Sequence, residues 1–422
     1  MKTTYRLCAV LLLGLLSFDC KKTVPDDDAY LLEQEVVFSR HNIRSPISSP
    51  GSVLSIVTPY EWTDWGVSTA YLTDRGGRIE EKIGAYFYST VSEKLGPLNQ
   101  DNTLFYANSR QRTKATTAHF IQGFDAQLPL YYTSEDDVMD PLFTPKFNFM
   151  SDALHAQIVA EMNEKGGAAG TPEEPFKGIQ KAISALSGDI CFMEEVMSFT
   201  DSPYARENGL EHLPTDAIDV TTQVDDEPHL VGDYVTINNI ADAMVLQYYE
   251  TGTEFGKAVT MEDVRRIANV KTVYDEMLFC TPTSATLISY PLVQYIYDDL
   301  KSDAHRFTFL CGHDSNIASI STALGFSMPE TVDAVEHRTP IGSKIVFRKF
   351  RKGGEYFMDI QLVYASVPQL RETASISAGA PPVTLSIDLE GVQRNSDGYF
   401  RLEDVFGRFD STIARYQGLQ DK

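Results

Sequence analysis

The chain has 422 residues, of which 43% are hydrophobic and 23% are charged. These proportions are typical of a folded globular protein, and they exclude a disordered chain and a fibrous repeat. Acidic residues outnumber basic ones by 59 to 36, and the formal net charge is -23. Because a polyanion needs a basic surface, this balance argues against nucleic-acid binding, and a site for an anionic substrate must be a local cluster of basic groups.

The N-terminus has the pattern of a secretory leader. Basic residues precede an apolar run over residues 7–16, which is shorter than the ~20 apolar residues of a membrane-spanning helix. We predict a signal peptide over residues 1–19 and a tether over residues 20–34, and therefore a periplasmic or otherwise exported protein. Cleavage before Cys20 would leave a lipid anchor, as in bacterial lipoproteins, whereas ordinary cleavage would leave none.

Strand-like and helix-like segments alternate along most of the chain. The apolar runs 35–39 and 103–107 predict strands, and each is followed by a polar loop and a helical stretch. Residues 306–311 predict a buried strand that leads into another helix. Residues 342–350 and 356–365 predict a hairpin. This order predicts an α/β fold, with a mainly parallel sheet flanked by helices.

The middle of the chain has a different pattern. Residues 143–269 look mostly helical, with loops rich in glycine, proline and acidic residues. We interpret this segment as an inserted helical cap domain, between two parts of an α/β catalytic domain at residues 35–142 and 270–422. The glycine-rich segment 164–172 lacks the Lys-Ser/Thr ending of a phosphate-binding loop, so we interpret it as a linker.

Charged side chains follow three of the predicted strands, at the point where each strand ends. They are Arg40, His41 and Arg44 after the first strand, Arg110 and Arg112 after the second, and His313 and Asp314 after the third. Ligand sites of open α/β sheets lie at the carboxyl ends of the strands. So many cationic groups at one edge would be costly without an anion, and guanidinium groups match the oxygens of phosphate. The pattern therefore predicts a phosphate site.

The same cluster contains a nucleophile and an acid. A neutral His41 imidazole could attack phosphorus and form a phosphohistidine, which would divide hydrolysis into two easier steps. The leaving oxygen then needs a proton, and Asp314 is the available donor. Because a protonated aspartate is more abundant at low pH, we expect an acidic pH optimum.

The motifs at these strand ends resemble those of a known family. The segment 40–46 (RHNIRSP) with 312–314 (GHD) resembles the histidine acid phosphatases, in branch 2 of the histidine phosphatase superfamily. Segments 72–77 (LTDRGG), 246–250 (LQYYE) and 339–347 (TPIGSKIVF) are similar to the bacterial periplasmic glucose-1-phosphatases within that family.

The resemblance implies a role for each residue of the cluster. His41 would be the phosphorylated nucleophile and Asp314 the proton donor. The phosphate clamp would consist of Arg40, Arg44, Arg112 and His313. The resemblance also implies a phosphoglycerate-mutase-like core with an inserted cap, and no metal or other cofactor.

Three further side chains are open to two interpretations. Glu227, in the predicted cap, could overhang the pocket and exclude highly phosphorylated substrates, although residues 225–227 also fit a solvated charge run. Trp62 and Trp65 could form an aromatic wall for a sugar or belong to the core.

Several alternatives to a sugar phosphatase remain. A phytase or a broad-specificity acid phosphatase would use the same chemistry. Metal-dependent hydrolysis at His313 and Asp314 would need further ligands at suitable spacing, and none lies nearby in the sequence. A phosphosugar-binding lipoprotein without catalysis would need the arginines but not His41 together with Asp314. We therefore expect a small-molecule phosphate ester as the substrate, with glucose 1-phosphate as the leading candidate.

Overall fold

The computed structural model describes residues 29–48, 53–55, 57–125, 127–197 and 218–422. The predicted signal peptide and Cys20 lie outside these residues. No helix within them is both long enough and apolar enough to cross a bilayer.

The strands of the described residues are, in chain order, β1 (Leu31–Arg40), β2 (Thr103–Ala107), β3 (Leu130–Tyr131), β4 (Asp219–Thr221), β5 (His229–Val231), β6 (Phe307–Gly312), β7 (Phe326–Ser327), β8 (Lys344–Lys352), β9 (Glu355–Tyr364), β10 (Val383–Ser386), β11 (Asp388–Leu389) and β12 (Phe400–Arg401). The helices are α1 (Asp74–Leu95), α2 (Gln111–Asp125), α3 (Asp152–Lys165), α4 (Lys177–Ser184), α5 (Ser187–Met197), α6 (Tyr234–Thr251), α7 (Met261–Phe279), α8 (Pro282–Lys301), α9 (Asp314–Leu324), α10 (Val367–Leu370) and α11 (Leu402–Leu419). A 3₁₀ turn covers Val53–Ser55.

Eight of these strands form one sheet in the order β10-β9-β8-β1-β6-β2-β3, with β12 paired to β9. The core strands β1, β6, β2 and β3 are parallel. The predicted hairpin, β8 and β9, adds to β1 in the antiparallel sense. The predicted α/β class with a mainly parallel core is confirmed, and the antiparallel strands extend the sheet on one side.

Helices cover both faces of the sheet because the central strands are apolar on both sides. Phe309 of β6 stacks on Phe120 of α2, with ring centroids 4.1 Å apart. The next residue, Leu310, points to the opposite face and belongs to the same buried cluster as Ile317 of α9. Every residue of β6 is buried, as expected for a central parallel strand.

Helices α1 and α2 approach each other closely through two glycines. A Cβ on Gly84 of α1 would clash with the carbonyl oxygen of Phe120. A Cβ on Gly123 of α2 would clash with the carbonyl oxygen of Glu81. The absence of these side chains lets the helix backbones touch, and this contact holds both helices against the sheet.

Two predicted boundaries are wrong. Strand β1 begins at Leu31, so residues 31–34 belong to the sheet and not to the predicted tether at 20–34. Helix α7 spans Met261–Phe279 and therefore crosses the predicted cap boundary between residues 269 and 270. The helical pattern continues without a break across residues 269 and 270, so the sequence contains no signal for a domain boundary there. Between residues 143 and 260 the described elements are helices α3 to α6 and the β4–β5 hairpin.

Candidate active site

The two sequence-distant motifs lie side by side at the carboxyl ends of adjacent strands. Strands β1 and β6 are parallel, and Arg40 pairs in register with Gly312. The residues that follow, His41 and His313, therefore meet, with ring centroids 5.5 Å apart. Strand β2 ends beside β6, which brings the start of α2 and Arg112 to the same edge.

The imidazole of His41 has one nitrogen available for attack. Its Nδ1 lies 2.9 Å from the carbonyl oxygen of Asn42. A carbonyl oxygen only accepts hydrogen bonds, so Nδ1 carries the proton and Nε2 keeps a lone pair. Burial lowers the pKa of His41 well below its usual value, and the nearby Arg112 and Arg44 lower it further. The neutral ring is the nucleophilic form.

A buried polar chain fixes the loop that carries His41. The Asn42 side chain accepts the N–H of Ile43 at 2.8 Å and donates to Glu80 at 2.8 Å. Glu80 is in turn paired at 2.8 Å with Lys344, and both side chains are almost completely buried. Gly342 packs against Asn42 with a φ of +67°, and a Cβ there would lie 2.7 Å from the Asn42 amide nitrogen. This arrangement restricts the position of the imidazole.

Arg40 and Arg44 are held by carboxylates on either side of His41. Arg40 is buried, and it pairs with Asp314 at 3.2 Å and with Glu336 at 3.3 Å. Arg44 pairs with Asp242 of α6 at 3.0 Å. The Nε atoms of Arg40, Arg44 and Arg112 are buried without a hydrogen-bond partner. Arg44 and Arg112, which face the pocket, therefore keep donor capacity for a bound anion.

His313 faces the pocket with a donor nitrogen. The Asn108 amide oxygen accepts the N–H of Asp140 at 2.9 Å, so its NH₂ group donates to His313 Nε2 at 2.7 Å. The ring proton is then on Nδ1, which lies 3.4 Å from Arg112 Nη2. Burial and the Arg112 charge lower the pKa of His313 well below its usual value, and burial lowers the pKa of Arg112 to about 10. Two donors that face each other in this way can share one phosphate oxygen.

Asp314 is ionised in this arrangement. It begins α9, and its Oδ2 lies 3.2 Å from Arg40 Nη2 and 3.0 Å from Lys271 Nζ. Burial alone would raise its pKa, but the charges of Lys271 and Arg40 outweigh burial and hold the pKa well below its usual value. Asp275 contacts the same lysine, and burial raises its pKa to about 6. The predicted proton donor therefore lies next to a second carboxyl that holds a proton more readily.

These groups surround a cavity of about 470 Å³. The predicted residues that line it are His41, Arg44, Arg110, Arg112, His313, Asp314 and Glu227. Arg40 lies behind the wall, where it contacts Asp314. The cavity wall also includes Asn238, Asn239, Asp242, Lys271 and Asp275 from helices α6 and α7.

Of the three side chains with two interpretations, Glu227 lines the main cavity, whereas Trp62 and Trp65 do not. Glu227 lines the cavity, and burial raises its pKa above the usual value, whereas Asp225 and Asp226 are exposed. Trp62 and Trp65 line a separate cavity of about 480 Å³ and pack against the core. They do not form an aromatic wall of the main pocket.

Sequence reasoning missed several groups of the site. Asn108 directly follows β2, so the rule that selected the other strand ends would have found it. Asp242, Lys271 and Asp275 lie on helices, where charged residues usually face solvent. The i, i+4 spacing of Lys271 and Asp275 indicated at most a surface ion pair. Within the described residues, no group of three or more His, Cys, Asp or Glu side chains could hold a metal ion.

Comparisons with known proteins identify the family. The model of the histidine phosphatase superfamily (branch 2) matches residues 31–172. A glucose-1-phosphatase of Salmonella typhimurium is 33% identical over 413 residues, which cover 93% of this chain and 95% of that protein. A glucose-1-phosphatase of Providencia rettgeri is 30% identical over 89% of this chain and 90% of that protein. The solved structure of a Hafnia alvei phytase superposes with a TM-score of 0.80 over 91% of this chain and 97% of that one, at 22% identity. The chain therefore belongs to branch 2 of the histidine phosphatase superfamily.

Proposed function

We propose that this protein hydrolyses sugar phosphomonoesters, with glucose 1-phosphate as the leading substrate, through a phosphohistidine at His41. Its class, a phosphoric monoester hydrolase, follows from the family and from the relatives named above. The observation that carries the proposal is the neutral His41 ring, with Nδ1 hydrogen-bonded to a carbonyl and Nε2 available, beside Arg44 and Arg112, which line the same cavity.

The proposed reaction has two steps. Arg44, Arg112 and the Nδ1–H of His313 bind the phosphate oxygens, and His41 Nε2 forms a bond to phosphorus while the ester P–O bond breaks. Asp314, protonated at this stage, gives its proton to the leaving oxygen. Water then attacks the phosphohistidine, the Asp314 carboxylate accepts its proton, and the freed electron pair returns to Nε2 as phosphate leaves.

The wall of the pocket favours a substrate with a single phosphate. Asp242, Asp275 and Glu227 contribute carboxyl groups there, and Asn238 and Asn239 contribute amides. Carboxylates and amides can hydrogen-bond to sugar hydroxyls, whereas carboxylates repel further phosphate groups. The two relatives at 30% identity or more are glucose-1-phosphatases, which supports the same substrate. A phytase is the alternative, because the Hafnia alvei phytase has the same fold.

A substrate panel with two variants tests this function. At acidic pH we expect kcat/KM for glucose 1-phosphate to exceed that for phytate by at least about tenfold, as one repulsive carboxylate contact of ~1.4 kcal/mol would produce. Glu227→Gln should narrow this ratio at near-neutral pH, where Glu227 is a carboxylate, and should leave it unchanged at the acidic pH at which its raised pKa keeps Glu227 protonated. His41→Ala should abolish turnover of both esters, whereas His305→Ala, two residues before β6 and at the opposite end of that strand, should retain it. Equal turnover of phytate would favour the phytase alternative, and an active His41→Ala enzyme would refute the nucleophile.

We also propose that the protein is exported, to the periplasm or beyond. The support is the basic start and short apolar run of the leader, which lie outside the described residues. A lipid anchor at Cys20 is the finer form of this proposal.

A further inference from the structure

Lys271 connects the proposed acid to a second carboxyl group. Lys271 and Asp275 lie one turn apart on α7, and both line the pocket. The Lys271 ammonium lies 3.1 and 3.0 Å from the two oxygens of Asp275. The same ammonium lies 3.0 Å from Asp314 Oδ2. One cation therefore bridges two carboxyls that belong to different elements.

The three side chains are largely withdrawn from water, with exposures of 15%, 14% and 19% for Lys271, Asp275 and Asp314. Charges therefore act strongly on one another here. The charged and titratable groups that face the three side chains from other elements or from α7 itself are Arg40, His41, Arg112, Glu227, Tyr234, Asp242, Tyr274, Cys280, His313 and Glu336.

A bound phosphate ester would change the charge balance of this cluster. In the free enzyme, Lys271 and Arg40 face the two carboxylates Asp275 and Asp314. A phosphate bound beside His41 adds further negative charge, and closely spaced like charges cannot all stay ionised. Uptake of one proton by the two carboxyls relieves this repulsion.

We propose that Lys271, Asp275 and Asp314 form a proton-sharing triad, in which Asp275 holds the proton that Asp314 later gives to the leaving group. The proposal rests on the phosphatase mechanism described above. Lys271 and Asp275 are positioning residues, because only Asp314 reaches the reacting oxygen in that mechanism.

The transfer conserves protons. In one concerted exchange, the Lys271 ammonium gives a proton to Asp314 as it takes one from the Asp275 carboxylic acid. No neutral amine forms, because Asp275 and Asp314 raise the pKa of Lys271 despite burial. The net change is that Asp275 becomes a carboxylate and Asp314 becomes an acid, while Lys271 stays charged. Asp314 then protonates the leaving oxygen. In the second step the water proton returns to Asp314, the exchange through Lys271 then runs in reverse, and Asp275 again holds the proton.

The direction of the pH dependence follows from the two carboxyl groups. Burial raises the pKa of Asp275 to about 6, while Lys271 and Arg40 hold that of Asp314 well below its usual value despite burial. The triad keeps its proton below about pH 6 and loses it above. Turnover of esters with poor leaving groups should therefore fall on the alkaline side of about pH 6.

Two variants of α7 should shift the pH at which turnover falls, and they should shift it in opposite directions. Asp275→Asn leaves only Asp314 to hold the proton, so kcat/KM for an alkyl phosphate should fall at a pH about one to two units lower. Lys271→Met removes the charge that keeps Asp314 ionised, so the fall should move about one to two units higher. Arg266→Met, on the same helix but paired with Asp189 away from the pocket, is the matched control and should leave the profile unchanged.

An aryl phosphate separates this proposal from the proposed function. Its leaving group needs little protonation, so phosphohistidine should still be trapped from p-nitrophenyl phosphate in Asp275→Asn and Lys271→Met. Failure to trap it in the wild-type enzyme would refute the nucleophile instead. An unchanged profile in both variants, or equal losses with alkyl and aryl esters, would overturn the triad. If Asp275→Asn does not fold, the Lys271→Met profile and a ¹³C carboxyl titration of the wild-type enzyme decide: no carboxyl that titrates near pH 6 would contradict the proposal.

Discussion

As the proposed general acid, Asp314 would combine two properties that are hard to reconcile in one residue. A general acid must carry a proton, yet Lys271 and Arg40 keep this carboxyl ionised in the free enzyme. The contacts that depress its pKa also fix its direction, because the Ser315 N–H donates to Oδ1 at 3.0 Å and the two cations hold Oδ2. The same few neighbours thus control both the position and the protonation of Asp314. In the proposed mechanism, substrate binding changes its protonation and leaves its position unchanged.

At the residue scale, Asp314→Asn tests the acid role directly. The amide keeps the shape of the side chain but has no transferable proton, so we expect kcat for alkyl phosphates to fall by about 10²–10⁴-fold. Aryl phosphates, whose leaving groups depart unprotonated, should lose much less. The measurement is kcat for both ester classes across the acidic range. Equal losses for the two classes would count against the acid role.

At the scale of elements, the site depends on how closely helices pack on the sheet. Helix α2 carries Arg112 in its first turn, and α1 and α2 touch through Gly84 and Gly123. Helix α7 reaches the pocket with Lys271 and Asp275 on one face. Small changes in the position of these helices therefore move charges that belong to the site.

A pair of glycine substitutions tests the close contact of α1 and α2. Gly123→Ala inserts a methyl group against the Glu81 carbonyl, so the free energy of unfolding should fall by about 1–3 kcal/mol. Gly407→Ala, on exposed α11 with nothing within 4 Å of the added carbon, should raise it by about 0.5–1 kcal/mol. Urea unfolding of both variants gives the comparison. A stable Gly123→Ala protein would mean that the helices can separate without cost.

At the scale of the whole molecule, a pocket with several cationic side chains lies within a protein of net charge -23. The pocket arises because distant parts of the chain converge: Arg44 follows β1, Arg112 begins α2, and Lys271 comes from α7. Arg44 and Lys271 are each paired with a carboxylate, which offsets part of the positive charge of the site. A phosphate ester is attracted by this cluster only at close range, because salt screens exposed charges beyond ~8 Å.

The location of the protein is a property of the whole chain and can be tested by cell fractionation. We expect phosphatase activity in the periplasmic or membrane fraction, and we expect deletion of residues 1–19 to retain it in the cytoplasm, because the apolar run is then missing. Cys20→Ser distinguishes the two exported forms, since it should release activity from the membrane fraction only if Cys20 is lipidated. Cytoplasmic activity of the unaltered protein would contradict export.

Much of the fold and part of the site could be predicted from short segments. Strand β2 covers the predicted residues, and β6 differs from its prediction by one residue at each end, because apolar runs followed by polar loops are local signals. His41 and His313 were found in the same way, as polar residues at strand ends. Asn108 is also a polar residue at a strand end, but its role is visible only in the structure, where its amide contacts His313.

The amino-acid sequence by itself determined the class of fold, the family motifs and the side chains at the strand ends, because these depend on neighbours within a few residues. Only the tertiary structure decided that Lys271 and Asp275 face the pocket, since a helix can turn any charged pair toward water or toward the protein. Only the tertiary structure decided the ionisation of Asp314, because burial and the charges of Arg40 and Lys271 come from segments far apart in the chain.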